Sequence, residues 1–275
     1  MKVTVYEVGP RDGLQYLEHI IDTDDKRQLI NALYRAGLEN IEEVSFAHPK
    51  RLPQMADAEK VFSGFGAGLV MNKRGYDRAV KTGVEKINIV FSPCETFNVN
   101  NMGKTRQEIV LMYKTFMDKV PKKDVRVYLS MSFGSPYSGI VSPRLMKNCL
   151  RDAKMFGNTV VFADTVGVAS EQEIALWAEM ALEEGLTPAL HLHHKGDESR
   201  AVALVRSGLL NGIKEFDSSI NGLGGCPFAE GSGANLSTQA LVRHLNVWGF
   251  DCGIQESDLA DAARIARALT NVLLS

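Results

Sequence analysis

The chain has 275 residues, 45% of them apolar, and a formal net charge of −2. Lysine and arginine are scattered rather than gathered into a basic stripe, which argues against a nucleic-acid footprint, and no stretch approaches the roughly 18 unbroken apolar residues of a membrane span. The length lies near the ~250 residues of one (β/α)8 barrel, and the apolar fraction supplies one large core.

Short β-branched runs alternate along the chain with stretches of helical period. Residues 3–8 form the first expected strand, and the start reads straight into it with no charged leader or cleavage site, so no secretory signal is expected. A helix follows over 24–36, with Thr23 as its N-cap, Asp24 and Asp25 at its positive start and Gly37 as its stop. Leu29, Ile30, Leu33 and Tyr34 fall on one face of it. Further strands are expected over 41–46, 67–71, 86–91, 125–132, 159–163, 189–193 and 213–217, with helices between them. Thr105 with Glu108, and Ser170 with Glu173, have capping-box spacing. Ser142 before Pro143 opens another helix, which Gly157 closes. Residues 254–274 add a helix after the eighth unit.

Strict βα alternation implies a parallel sheet, either closed into a barrel or open and doubly wound. Eight units favour closure, and Gly9-Pro10-Arg11-Asp12-Gly13 after the first strand is not the GxGxxG turn of a dinucleotide-binding sheet. The expected fold is therefore an α/β (β/α)8 TIM barrel with an additional C-terminal helix. No linker, charge block or low-complexity run divides it, so one catalytic domain over residues 1–275 is expected. Cys94, Cys149, Cys226 and Cys252 include no CxxC pair and do not read as a disulfide framework, which suits a reducing, cytoplasmic setting.

In such a barrel the reactive groups sit where strands end. The first strand ends in Arg11-Asp12. The second contains Glu42, an acid inside an apolar run that needs a partner or a place in the barrel mouth. The sixth ends at Asp164. In the seventh, His191 and His193 share a face by strand alternation. After the eighth comes a Gly-rich loop over 221–231 containing Cys226, with Asn235 just beyond.

Two imidazoles at i and i+2, a carboxylate and an amide oxygen make a mixed N/O set suited to Mg, Mn, Fe, Co or Zn, and an open site of that kind suits Lewis-acid catalysis. Each residue also has a structural reading. The histidines could simply be packed, and Arg11-Asp12 could be a surface ion pair. Glu42 could be a structural acid paired with an arginine, and Asp164 could cap the following turn. Cys226 could be a small buried residue, the loop glycines could mark tight turns only, and Asn235 could cap the last barrel helix.

The stretch Glu7-Val8-Gly9-Pro10-Arg11-Asp12-Gly13-Leu14-Gln15 closely resembles the opening motif of the 3-hydroxy-3-methylglutaryl-CoA lyase family, metal-dependent barrels with an N-terminal Arg-Asp motif. Further matches follow in order: Ile41-Glu42 with Ser45-Phe46, Pro49-Lys50 and the run 53–57; then Asp164-Thr165-Val166-Gly167; then the loop 222–231, with Asn235 nine places after Cys226. The resemblance implies a carbon–carbon lyase cleaving a 3-hydroxyacyl-CoA such as 3-hydroxy-3-methylglutaryl-CoA to acetyl-CoA and a keto acid such as acetoacetate. It implies Asp12, His191, His193 and Asn235 as metal ligands, with Mg or Mn as the cation. Arg11 would stabilise the thioester enolate, and Asp12 or a metal-site histidine (His191 among the catalytic groups) would take the hydroxyl proton. Cys226 would return a proton, and Glu42 and Asp164 are further active-site acids. Partners would be an acyl-CoA and further copies in a homo-oligomer, with no nucleic acid and no membrane.

The chain departs from the family's pattern in three places. His194-Lys195-Gly196-Asp197-Glu198 follows the HxH pair, and residues 97–101 lack the adjacent lysines associated with CoA binding, a part that Lys50 or Lys104 could take. Ser135-Pro136-Tyr137-Ser138-Gly139 replaces a Cys-Pro-Tyr-Glu-Gly pattern. These changes leave the acyl group open, and Lys195 is a candidate cation for a substrate carboxylate. A condensing enzyme of the same barrel group, or a non-catalytic metal- or acyl-CoA-binding barrel, remains the alternative. Condensing enzymes generally carry further C-terminal regions, and Cys226 in its Gly-rich loop points toward lyases.

Overall fold

The computed structural model of the chain describes residues 1–15, 17–224 and 233–270. Eight parallel strands run β1 (Thr4–Glu7), β2 (Asn40–Ser45), β3 (Ala67–Leu69), β4 (Lys86–Phe91), β5 (Val125–Leu129), β6 (Thr159–Asp164), β7 (Thr187–His194) and β8 (Glu215–Ser218). Each pairs with its sequence neighbour, and β1 pairs with β8 through Val5↔Phe216 and its flanking residues, which closes the sheet into a barrel. A two-residue strand, β9 (Ala234–Asn235), lies antiparallel on the end of β7, with Asn235 opposite His193.

The helices are α1 (Thr23–Arg35), α2 (Ala58–Val61), α3 (Lys73–Thr82), α4 (Glu95–Met102), α5 (Arg106–Met117), α6 (Pro143–Lys154), α7 (Glu171–Glu183), α8 (Glu198–Leu210), α9 (Thr238–Val247) and α10 (Ala260–Thr270). Both expected capping boxes are present, at Thr105/Glu108 and at Ser170/Glu173, and the Ser142 side chain caps α6. One expected cap is corrected. Asp22 occupies the N-cap position of α1, and the Thr23 hydroxyl instead donates to Asp57 Oδ2 at 2.6 Å. Gly37 has φ +91°, the left-handed conformation that ends a helix. Gly157 follows α6 for a different reason: a Cβ there would lie 2.4 Å from the Val125 carbonyl oxygen. The last helix is shorter than expected within the described residues, because a 3-10 turn at Glu256–Leu259 precedes α10. No helix among the described residues is long and apolar enough to cross a membrane.

Strand alternation sorts side chains into two layers. Val125, Val127 and Leu129 of β5, with Leu190 and Leu192 of β7, join the main core between barrel and helices. Tyr128, Val161 and Ala189 form a separate cluster inside the barrel, as do Tyr6, Val8 and Ala67. The interior is also polar: Arg126 lies 3.8 Å over the Tyr6 ring, and Asn88 Nδ2 donates to Glu42 Oε1 at 2.7 Å. In β2 the register shifts between Glu42 and Val44. Such a bulge resets the alternation, so Glu42 meets Arg11 while Ser45, three residues on, lines the cavity at the barrel mouth.

Candidate active site

The chain turns sharply after β1 in a five-residue π-helical turn, Gly9–Gly13, with Pro10 in its opening positions. Glu7 holds this turn. Its Oε1 accepts from Gly9 N at 2.7 Å and Ile220 N at 2.9 Å, and its Oε2 accepts from Thr238 Oγ1 at 2.5 Å. One buried carboxylate thus ties the β1 loop to the chain after β8. Burial raises the Glu7 carboxyl to about 7, although all three donors favour its charged form.

Arg11 and Asp12 emerge from that turn. The Arg11 guanidinium pairs with Glu42 through Nε and Nη2, and its Nη1 donates to Asp12 Oδ1 at 2.7 Å. Burial opposes the charged guanidinium, but the two carboxylates outweigh it and hold Arg11 above its ordinary value. Burial also opposes charge on Asp12, yet Arg11 and the two imidazoles keep that carboxyl below the usual range. Gln15 Nε2 donates to the same Asp12 oxygen at 2.9 Å. The ion-pair and structural-acid readings of Arg11 and Glu42 are thus both met, inside the barrel rather than on its surface.

Asp12, His191 and His193 converge, with their potential ligand atoms all within 4.8 Å of one another. His193 Nδ1 lies 3.1 Å from the Thr165 carbonyl oxygen, and His191 Nδ1 lies 3.3 Å from Asp217 Oδ2. A carbonyl oxygen can only accept, so His193 carries its proton on Nδ1. The Nε2 atoms of the two rings are 2.9 Å apart. At that distance the facing lone pairs are relieved either by one proton shared between the rings or by a cation beside them. Burial and the neighbouring ring depress His193 to about 4, while Asp217 and Asp12 raise His191 against burial. Two imidazole nitrogens and a carboxylate oxygen held this way fit a cation.

Asn235 completes the cluster from β9. Its Nδ2 donates to Asp12 Oδ2 and to the Leu223 carbonyl, each at 2.8 Å, which leaves the amide oxygen as the atom a cation could use. It does not cap α9; Ser237 does. Gly224, at φ +114°, passes so close that a Cβ would sit 2.5 Å from Asn235 Nδ2.

The cluster opens into a cavity of about 260 Å³ lined by Arg11, Asp12, His191 and His193 and walled by apolar groups such as Met71, Phe97, Met102 and Met112. Tyr128 also lines it, and its buried hydroxyl has no hydrogen-bond partner within the described structure. Lys104 lies on the cavity wall, as do His48 and Arg51; Lys50 and Lys195 are exposed and not among the lining residues.

Residues 2–266 match the HMGL-like protein family. The chain belongs to this family. It is 33% identical over 273 residues to 3-hydroxy-3-isohexenylglutaryl-CoA/hydroxy-methylglutaryl-CoA lyase of Pseudomonas aeruginosa, covering 96% of this chain and 91% of that protein. Among solved structures, the HMG-CoA lyase of Brucella melitensis aligns with TM-score 0.89 and 31% identity over 98% of this chain and 99% of that one. An Acinetobacter baumannii HMG-CoA lyase in complex with coenzyme A and 3-methylmalate aligns with TM-score 0.89 at 29% identity, over 98% of this chain and 92% of its own.

Within this HMGL-like chain, six expected residues come together: Arg11, Asp12, Glu42, His191, His193 and Asn235. Asp164 does not join them through its carboxylate, whose oxygens accept from Val168 N at 2.8 Å and Ala169 N at 3.0 Å, the turn-capping arrangement. Cys226 lies outside the described residues. Sequence reasoning passed over Tyr128, Arg126 and Asp217. Arg126, in Val125-Arg126-Val127-Tyr128-Leu129, carried the signal that exposed Glu42, a charge inside an apolar strand run; Asp217, among Lys214, Glu215 and Ser218, did not.

Proposed function

We propose that this protein is a divalent-metal-dependent carbon–carbon lyase acting on 3-hydroxy-3-alkylglutaryl-CoA thioesters, 3-hydroxy-3-methylglutaryl-CoA first among them. The observation that carries the reading is the pair of imidazole Nε2 atoms beside the Asp12 carboxylate, immediately next to an arginine fixed by two acids.

Asp12, His191 and His193, with the Asn235 amide oxygen, would hold Mg or Mn. Bound there, the cation supplies Lewis acidity toward the substrate's tertiary hydroxyl. Asp12, or a histidine of the same cluster, accepts the hydroxyl proton. As the C2–C3 bond breaks, its electron pair passes to the thioester while C3 becomes a ketone. Arg11 faces the negative charge that collects on the thioester oxygen, already aligned by Glu42 and Asp12, so no reorganisation is required when that charge develops. The unpartnered Tyr128 hydroxyl offers a second donor on the same wall. Cys226 is the proposed source of the proton that converts the enolate to acetyl-CoA, a part that requires a protonated thiol. Asp164 serves by shaping the loop after β6. The apolar wall of Met71, Phe97, Met102 and Met112 suits an alkyl substituent on C3, since methionine adapts to irregular shapes.

Incubation with 3-hydroxy-3-methylglutaryl-CoA and homologues bearing longer C3 chains, in the presence of Mg2+ or Mn2+, tests the reading. Acetyl-CoA and the matching keto acid are the expected products. Metal binding with no cleavage of any member would leave a non-catalytic barrel.

A further inference from the structure

Below His191 the barrel interior carries a line of charged groups that the proposed chemistry does not use. Glu215 and Asp217 project inward from β8, and Arg126 projects inward from β5. Arg126 Nη1 donates to Glu215 Oε2 at 2.7 Å and Nη2 to Asp217 Oδ1 at 2.6 Å. The other oxygen of Asp217, Oδ2, lies 3.3 Å from His191 Nδ1. The Asp217 side chain is 0% exposed and that of Arg126 11%. Buried ion pairs are weak sources of stability, and apolar residues of similar volume commonly fill such space as well or better. Stability alone therefore gives little reason for a guanidinium and two acids in the centre of a barrel.

We propose that Asp217 is a positioning residue that fixes His191 with its proton on Nδ1 and its Nε2 lone pair toward the cation, and that Arg126 aims Asp217 for this purpose. The inference rests on the metal reading given above. It follows from which atoms can donate. Arg126 takes Oδ1, so only Oδ2 remains to receive the Nδ1 proton, and the ring is held in the tautomer that ligates through Nε2. A partner on the far nitrogen of a ligating imidazole sets both its orientation and its basicity. The two rings are secured differently: His193 is held by a backbone carbonyl, which no substitution removes, and His191 by a side chain, which a substitution can change.

Asp217→Asn separates this role from packing. Arg126 still claims the one oxygen, so the amide NH2 turns to His191 Nδ1 and donates to it. The ring proton then moves to Nε2, where it blocks ligation. Mn2+ binding, measured by titration calorimetry or by the free-ion electron paramagnetic resonance signal, should weaken at least about tenfold. Glu215→Gln, which reaches Arg126 but not the imidazole, should leave Mn2+ affinity within about twofold of the parent. Unchanged affinity in Asp217→Asn overturns the inference, whereas a parent protein that binds no Mn2+ overturns the metal reading itself. Should Asp217→Asn fail to fold, nitrogen-15 NMR of the Mg2+-loaded parent decides the matter: His191 protonated on Nδ1 supports the assignment, and His191 protonated on Nε2 refutes it.

Discussion

Arg11 is fixed on two sides, by Glu42 and Asp12, before any substrate arrives. A donor aligned in advance of the charge it meets is worth on the order of 3–4 kcal/mol of barrier. Arg11→Gln should therefore lower kcat for thioester cleavage by about 10²–10³-fold in steady-state assays. Glu7 makes a separate prediction about pH. Its carboxyl is raised by burial from the ordinary 4.5 to about 7 in the folded protein. The folded state therefore binds the proton more tightly than the unfolded chain. The stabilisation this gives is complete below pH 4.5 and is lost as pH rises through about 7. Chemical denaturation at pH 5 and pH 8 should show the parent losing stability relative to Glu7→Gln, by on the order of 3 kcal/mol. Glu42 was legible in the sequence because an acid inside an apolar run demands a partner, and Arg11 and Asp12 because they stand where a strand ends. Arg126 made the same demand as Glu42, but its pairing with Asp217 spans the barrel, 91 positions apart along the chain. Tyr128 gave no signal at all, since a strand tyrosine resembles any other core aromatic until its hydroxyl is seen to lack a partner.

Elements defined by local chemistry were the most readable. All eight strands of the barrel fall within one to three residues of the expected runs, because β-branched clusters and helix caps act over a few residues. The capping boxes at Thr105 and Ser170 are closed within their own first turns. Thr23 failed as a cap because Asp57, 34 residues away, takes its hydroxyl. Gly157 shows the opposite case, a residue read as a helix stop whose requirement is tertiary. With Val125 O only 2.4 Å from a Cβ at that position, Gly157→Ala must push α6 and β5 apart. Urea unfolding should show a loss of about 1–3 kcal/mol, the usual cost of forced overpacking. Gly157 is not among the glycines with positive φ, so the left-handed conformation that ends a helix is not what it supplies.

Closure of the barrel places the two ends of the sequence motif set beside each other. β1 delivers Arg11 and Asp12, β7 delivers both imidazoles, and β9 brings Asn235 against His193. Asn235 reaches Asp12 across 223 positions of chain. That convergence is a property of the closed sheet, which is why separate strand ends, each with an ordinary structural explanation, acquire a shared one only in three dimensions. The measurement that bears most directly on it is turnover of 3-hydroxy-3-methylglutaryl-CoA by protein stripped with a chelator and then resupplied with Mn2+. Cleavage should fall to background in the stripped protein and return in proportion to the Mn2+ bound. Full turnover by rigorously metal-free protein would contradict the account.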